Sequence, residues 1–136
     1  MIKPLKYLIF ISILITLLLA SSCKKENAVL ADGVLTIDLS KEEFNSLQNI
    51  NGTLYINELL IVKVGNQEFS VVSQNCPGDV GCITEYEKET FFCPCSGASY
   101  NQFGTIISST SSTNRQDLRY YLSEVEDDRY LIVYVD

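Results

Sequence analysis

The apolar and polar positions of the chain first separate an N-terminal segment from the rest. Lys3 and Lys6 give a positive start, residues 8–20 are almost unbroken apolar, and small residues lead from there to Cys23. A positive, then apolar, then small-residue order is typical of an export signal. Residues 8–20 are too few to cross a hydrocarbon core of ~30 Å as a helix, which argues against a retained anchor. We predict that residues 1–22 are a signal peptide.

The cysteine at the end of this segment resembles the lipobox of bacterial lipoproteins. This resemblance implies that Cys23 is diacylated and becomes the first residue of the mature protein. The following Lys-Lys-Glu, residues 24–26, is similar to sorting signals of Bacteroidetes lipoproteins. We therefore expect a protein of the cell envelope that is lipid-anchored to a bacterial membrane, the outer membrane in preference to the inner. A plain secreted protein and a retained signal anchor are the alternatives.

Beyond the predicted signal, the pattern changes from a short polar stretch to short alternating segments. Residues 23–33 are predicted to be a lipid-anchored tether, and residues 34–136 a β domain. Ser40 followed by Glu43 is a capping box, which predicts one or two helical turns after the first strand. The other predicted elements are short strands at residues 34–39, 59–64, 69–73, 83–86, 90–93, 118–125 and 130–135, and a Ser/Thr-rich loop at residues 108–114. Short strands separated by turn residues predict an all-β, small antiparallel sandwich or barrel.

The charge of the predicted mature chain excludes one class of partner. Two of the 10 Lys+Arg precede Cys23, so 8 remain against 17 Asp+Glu, a formal net charge of 8 − 17 = −9. A nucleic-acid-binding domain carries a basic surface, so no nucleic acid is expected as a partner. An acidic domain is also not attracted to an anionic membrane surface, so the lipid must provide the attachment.

Four cysteines remain after Cys23, at positions 76, 82, 93 and 95, and the chain has no histidine. An exported protein meets an oxidising compartment, in which paired thiols persist as disulfides. An even number of cysteines in a small domain fits two bridges, and four cysteines allow three connectivities. The residues alone leave all three connectivities open.

The cysteines lie in two loops that resemble those of the Rieske iron–sulfur domain. Residues 76–82 read Cys-Pro-Gly-Asp-Val-Gly-Cys and residues 93–100 read Cys-Pro-Cys-Ser-Gly-Ala-Ser-Tyr. The resemblance extends over residues 59–136 and implies a Rieske-like antiparallel β domain with two cysteine loops. In that family one iron is held by two thiolates and the other by two imidazoles. By position, Cys76 and Cys93 match the thiolate ligands, and Cys82 and Cys95 match the family's bridged pair.

The family's histidine positions are occupied by other residues. The second loop has Ser96 at this position, and the first loop, which is one residue longer, has Gly78 or Asp79. Neither loop offers an imidazole, so we interpret the site as a degenerate one and expect no cofactor. Without iron, Cys76 and Cys93 are expected to form a disulfide beside Cys82–Cys95. The sequence then predicts a non-catalytic binding or scaffold module of the cell envelope, with an envelope protein as its partner.

Three alternatives keep chemistry at the cysteines. The first is an electron-transfer protein with a [2Fe–2S] cluster on Cys76 and Cys93, with Asp79 and Ser96 at or near the histidine positions. The second is a zinc site formed by the four cysteines, because four thiolates can hold tetrahedral zinc. The third is a thiol-redox protein that uses Cys93-Pro94-Cys95, which requires an exposed thiolate of low pKa.

Overall fold

The computed structural model describes residues 27–110 and 115–136. The predicted signal peptide 1–22, Cys23 and residues 24–26 of the predicted tether lie outside this part. The described residues form twelve strands and one 3₁₀ helix, Glu42–Gln48. The strands are β1 Ala28–Ala31, β2 Val34–Asp38, β3 Thr53–Ile56, β4 Leu59–Gly65, β5 Glu68–Ser73, β6 Glu85–Glu87, β7 Thr90–Cys93, β8 Ala98–Tyr100, β9 Ile106–Ser108, β10 Tyr120–Tyr121, β11 Ser123–Glu126 and β12 Tyr130–Tyr134.

The strands form three antiparallel sheets of four strands each, which confirms the predicted all-β class. The terminal sheet has the order β1-β2-β12-β11, the central sheet β10-β5-β4-β3, and the cysteine sheet β6-β7-β8-β9. Among the described residues, no helix is both long enough and apolar enough to cross a membrane.

The central sheet is covered on both faces. Leu60, Val62 and Val72 pack into one core cluster with residues of the cysteine sheet, and Leu59 and Ile61 pack into the other with residues of the terminal sheet. An unbroken apolar run such as residues 59–62 is typical of a strand that is buried on both faces. The cysteine loops therefore lie on one outer side of a three-layer domain.

Two segments of the N-terminal half differ from the prediction. Strand β1 lies within the predicted tether and pairs with β2 along its whole length, because Asp32 and Gly33 form a tight turn between them with positive φ angles. The predicted capping box does not form. The helix is of the 3₁₀ type and begins at Glu42, and Lys41 at its N-cap makes no side-chain capping hydrogen bond.

The hydroxyl of Ser40, predicted as the cap, instead donates a hydrogen bond to Asp38 Oδ1 over 2.7 Å. Asp38 also accepts two hydrogen bonds from Arg129, over 2.9 and 2.7 Å. The hydrogen bond from Arg129 is the main cause that holds the pKa of Asp38 well below its usual range, followed by that from Ser40. These contacts fasten the end of β2 to the turn between β11 and β12.

Candidate functional site: the paired cysteine loops

The first cysteine loop is closed at its base by backbone hydrogen bonds. Cys76 N–H donates to the Cys82 carbonyl over 3.0 Å, and Thr84 N–H donates to the Gln74 carbonyl over 2.8 Å. Gly78 and Gly81 have φ angles of 73° and 81°. These lie in the left-handed region, which glycine enters without the steric cost of a Cβ. The loop thus turns sharply, and its two cysteines lie next to each other where the loop begins and ends.

The second cysteine loop is a short connection between β7 and β8. Gly97 N–H donates to the Cys93 carbonyl over 2.9 Å. The Ser96 hydroxyl oxygen accepts a hydrogen bond from Ala98 N–H over 3.3 Å. Thr110 covers this loop, since its hydroxyl donates to the Ser96 carbonyl over 2.7 Å. A Cβ on Gly97 would lie 2.6 Å from the Thr110 hydroxyl oxygen, and the φ angle of +69° also favours glycine at this position.

Two disulfides join the loops. Cys76 pairs with Cys93 and Cys82 with Cys95, with Cα–Cα distances of 5.9 and 6.2 Å. Both distances lie within the range of natural disulfides. These are the two pairs predicted from the sequence, and they fix the two loops side by side.

The surroundings of the two disulfides are unequal. Cys76 and Cys93 are 5% and 0% exposed and lie in the core cluster between the central and cysteine sheets. Cys76 Sγ contacts the hydroxyl of the buried Thr84 at 3.7 Å. In the other pair Cys82 is buried, but Cys95 is exposed. Cys82 Sγ accepts a hydrogen bond from Cys95 N–H over 3.3 Å.

The side chains of Ser96 and Asp79, at or near the family's histidine positions, offer oxygen atoms in place of imidazole nitrogens. The Ser96 hydroxyl oxygen is used by Ala98 N–H. Asp79 Oδ2 is buried and, among the described residues, has no hydrogen-bond partner. Burial, and then the charges of Asp79 and Asp117, raise the pKa of Tyr100 above its ordinary value. Of the residues at or near the family's histidine positions, Asp79 alone carries a carboxyl group.

The donor atoms do not fit a Rieske cluster. Each cysteine of the two loops is bonded to another cysteine and so offers no thiolate. Thiolates and imidazoles are the ligands of such a cluster, and this chain has no histidine. In the described part of the chain, no three or more histidine, cysteine, aspartate or glutamate side chains are grouped so as to hold a metal ion. The arrangement is that of two covalently fastened loops.

An open groove lies beside the cysteine sheet and was not predicted from the sequence. Its volume is about 420 Å³. Tyr86 forms part of its wall, and the Tyr86 hydroxyl donates a hydrogen bond to Asn51 Oδ1 over 3.2 Å. Phe103 and Ile107 are 56% and 61% exposed. The lining residues are Asn51, Val64, Tyr86, Glu89, Asn101, Gln102, Phe103 and Ile107. The groove combines exposed apolar side chains with amide and carboxylate groups.

Comparison of the chain with models of known protein families gave no match. Comparison with curated proteins gave no match either.

Proposed function

We propose that this chain is a lipid-anchored protein of a bacterial cell envelope, with a Rieske-like domain whose cluster site is degenerate. It acts as a non-catalytic binding or scaffold module. The observation that carries this proposal is the use of all four loop cysteines in two disulfides, Cys76–Cys93 and Cys82–Cys95. A cysteine in a disulfide cannot ligate iron, so the loops have a covalent fastening where the family has a cofactor.

The disulfides support a place in the envelope, and the net charge bears on how the protein is attached there. Disulfides form and persist in oxidising compartments outside the cytosol. The acidic net charge of residues 23–136 gives no attraction to an anionic membrane, so attachment depends on a lipid at Cys23.

The groove supports the binding role. Phe103 packs edge-on against Tyr120 with ring centroids 5.8 Å apart, so its ring is held in place although half of it faces solvent. Ser70, buried in β5, donates a hydrogen bond to the Gln102 carbonyl, which fastens the groove wall to the central sheet. A rigid wall with exposed apolar and amide side chains is suited to a protein partner, because aromatic anchors with polar groups around them are typical of such contacts.

Metal analysis tests the degenerate site directly. The protein, purified from the membranes of iron-replete cells without added reductant, should contain no stoichiometric iron and should be colourless. After reduction it should give no electron paramagnetic resonance signal of a [2Fe–2S] cluster. About two iron atoms per chain with such a signal would establish the electron-carrier alternative instead. Stoichiometric zinc with four unpaired thiols would establish the zinc alternative.

A second experiment tests the anchor. In cells, Cys23→Ser should release the protein into the soluble fraction or leave it as an uncut precursor, because serine offers no thiol for lipid attachment. The matched control is Ser22→Ala, which keeps a small residue before the cysteine and should remain membrane-bound. Fractionation and the mass of the mature N-terminus measure both results. A Cys23→Ser protein that is correctly cut and still membrane-bound would reject the lipoprotein assignment.

A further inference from the structure

The two disulfides differ in the access they allow to an attacking thiolate. Cys76 and Cys93 are both buried within the core, whereas the bridge from Cys82 ends at the exposed Cys95. Thiol–disulfide exchange begins when a thiolate approaches one of the two sulfurs, so its rate depends on access to that sulfur. Only the Cys82–Cys95 bridge presents a surface residue to such an approach.

We infer that Cys82–Cys95 is a thiol-exchange site that reacts with a dithiol reductant, with Cys95 as the attacked residue and Cys82 as the leaving group. The inference goes beyond the proposed binding role. It also differs from an exchange role of Cys93-Pro94-Cys95, because Cys93 is bonded to Cys76 in the core.

The hydrogen bonding at the bridge supports this direction of attack. Cys95 N–H donates to Cys82 Sγ over 3.3 Å. A hydrogen-bond donor at a sulfur stabilises the negative charge that forms there when the bond breaks. A sulfur with such a donor is the better placed of the two to leave as a thiolate. The exposed residue is therefore attacked, and the sulfur that holds a hydrogen-bond donor departs.

The reaction balances in two steps. A thiolate of the dithiol attacks Cys95 Sγ, the Cys82–Cys95 bond breaks, and its electron pair leaves on Cys82 Sγ as a thiolate. The second thiol of the reductant loses its proton and attacks the mixed disulfide at the reductant's own sulfur, which releases Cys95 as a thiolate. Both protein thiolates then take up protons. The dithiol is oxidised to a disulfide, and the bridge is reduced by two electrons.

The loops should remain in place after this reaction. The first loop keeps the hydrogen bonds of its base, including Cys76 N–H to the Cys82 carbonyl at 3.0 Å, and residues 75 and 83 form an isolated β-bridge. The Cys76–Cys93 disulfide still joins both loops inside the core. Reduction thus frees only the outer end of the loops, near Val80, whose side chain is fully exposed. The site can be opened and closed without unfolding the domain.

Limited reduction of the full mature protein tests the inference. The oxidised protein is treated with a small excess of dithiothreitol, quenched at intervals with N-ethylmaleimide, and mapped by mass spectrometry. Cys82 and Cys95 should be labelled about tenfold or more faster than Cys76 and Cys93, because exposure of the buried pair requires an opening of the core. The circular dichroism spectrum should be unchanged at the point where only the first pair is labelled. Equal rates, or faster loss of Cys76–Cys93, would overturn the inference.

A monothiol tests which sulfur is attacked. A brief treatment with reduced glutathione, quenched afterwards with excess N-ethylmaleimide, should give a glutathione adduct on Cys95 and a maleimide adduct on Cys82. Single variants give a matched control, since Cys82→Ser leaves the free thiol at Cys95 and Cys95→Ser leaves it at the buried Cys82. Maleimide should label the first variant faster than the second. A glutathione adduct mainly on Cys82 would overturn the assigned direction of attack even if either variant misfolds. None of these outcomes bears on iron content, so failure here leaves the proposed function to its own test.

Discussion

The double variant Cys76→Ala/Cys93→Ala should lose about 5 kcal/mol of unfolding free energy, against about 4 kcal/mol for Cys82→Ala/Cys95→Ala. The cysteines are 17 and 13 residues apart in sequence. Loop closure therefore contributes nearly the same amount in both pairs, about 3 kcal/mol by the chain-entropy account. The difference comes from packing, because only the first pair has both residues in the core, where lost sulfur atoms leave a cavity.

Urea unfolding of the oxidised protein and both double variants measures these free energies at neutral pH. The two double variants are matched controls for each other, since each removes one bridge by the same pair of substitutions. Non-reducing peptide mapping of the wild type should first find Cys76–Cys93 and Cys82–Cys95, with no free thiol among the four. A larger loss of unfolding free energy for Cys82→Ala/Cys95→Ala than for Cys76→Ala/Cys93→Ala would contradict the order derived from burial. A peptide that joins Cys93 to Cys95 would reject the pairing itself.

The all-β class could be predicted because strand periodicity is a local property. The strand predicted at residues 59–64 is confirmed as β4, and its apolar run of residues 59–62 is buried. The pattern of apolar and polar residues did not predict strands that are too short to alternate, such as β8 and β9 with three residues each. Strand β1 lies at a sheet edge, and three of its four residues are exposed. It is a strand because its backbone pairs with β2, and it has no apolar face that a sequence pattern would show.

Local signals failed where a distant residue competes for the same group. Ser40 has the spacing of a capping residue, but Asp38 takes its hydroxyl, and Asp38 is itself held by Arg129, 91 residues further along the chain. The turn at Lys88-Glu89 similarly has no glycine, although both residues have positive φ angles, 51° and 61°. Such a pair of φ angles matches the twist of a hairpin, so the pairing of β6 with β7 compensates for the poor turn residues.

The chemistry of the cysteine loops was only partly open to prediction. The cysteine count and the predicted export left three connectivities open, and the resemblance to the Rieske domain supplied the expected pairs. The unequal burial of the two bridges depends on which residues cover each sulfur, such as Thr84 at Cys76, and this is a property of the folded chain. The groove was missed for the same reason, since its lining residues come from positions 51 to 107.

Gly52 joins the 3₁₀ helix to the central sheet by close backbone contact. Its N–H donates to the Asn49 carbonyl and its carbonyl accepts from Lys63 N–H, each over 3.0 Å. A Cβ on Gly52 would overlap the Ser46 carbonyl oxygen and would lie 2.9 Å from the Asn49 carbonyl oxygen. These are backbone atoms, so they cannot give way by a change of rotamer. The helix would have to move from the sheet, and with it the buried Phe44.

Gly52→Ala should therefore lower the unfolding free energy by about 3 kcal/mol or more, as expected of overpacking against a fixed backbone. Gly81→Ala is the matched control, because a Cβ there would meet no atom within 4 Å and only the φ of +81° opposes it. A left-handed conformation costs a non-glycine residue about 1–2 kcal/mol, so the control should lose less. Urea unfolding of both variants measures the difference. A Gly52→Ala protein that is as stable as Gly81→Ala would show that the helix can leave the sheet without loss, and that contact with Gly52 does not hold it there.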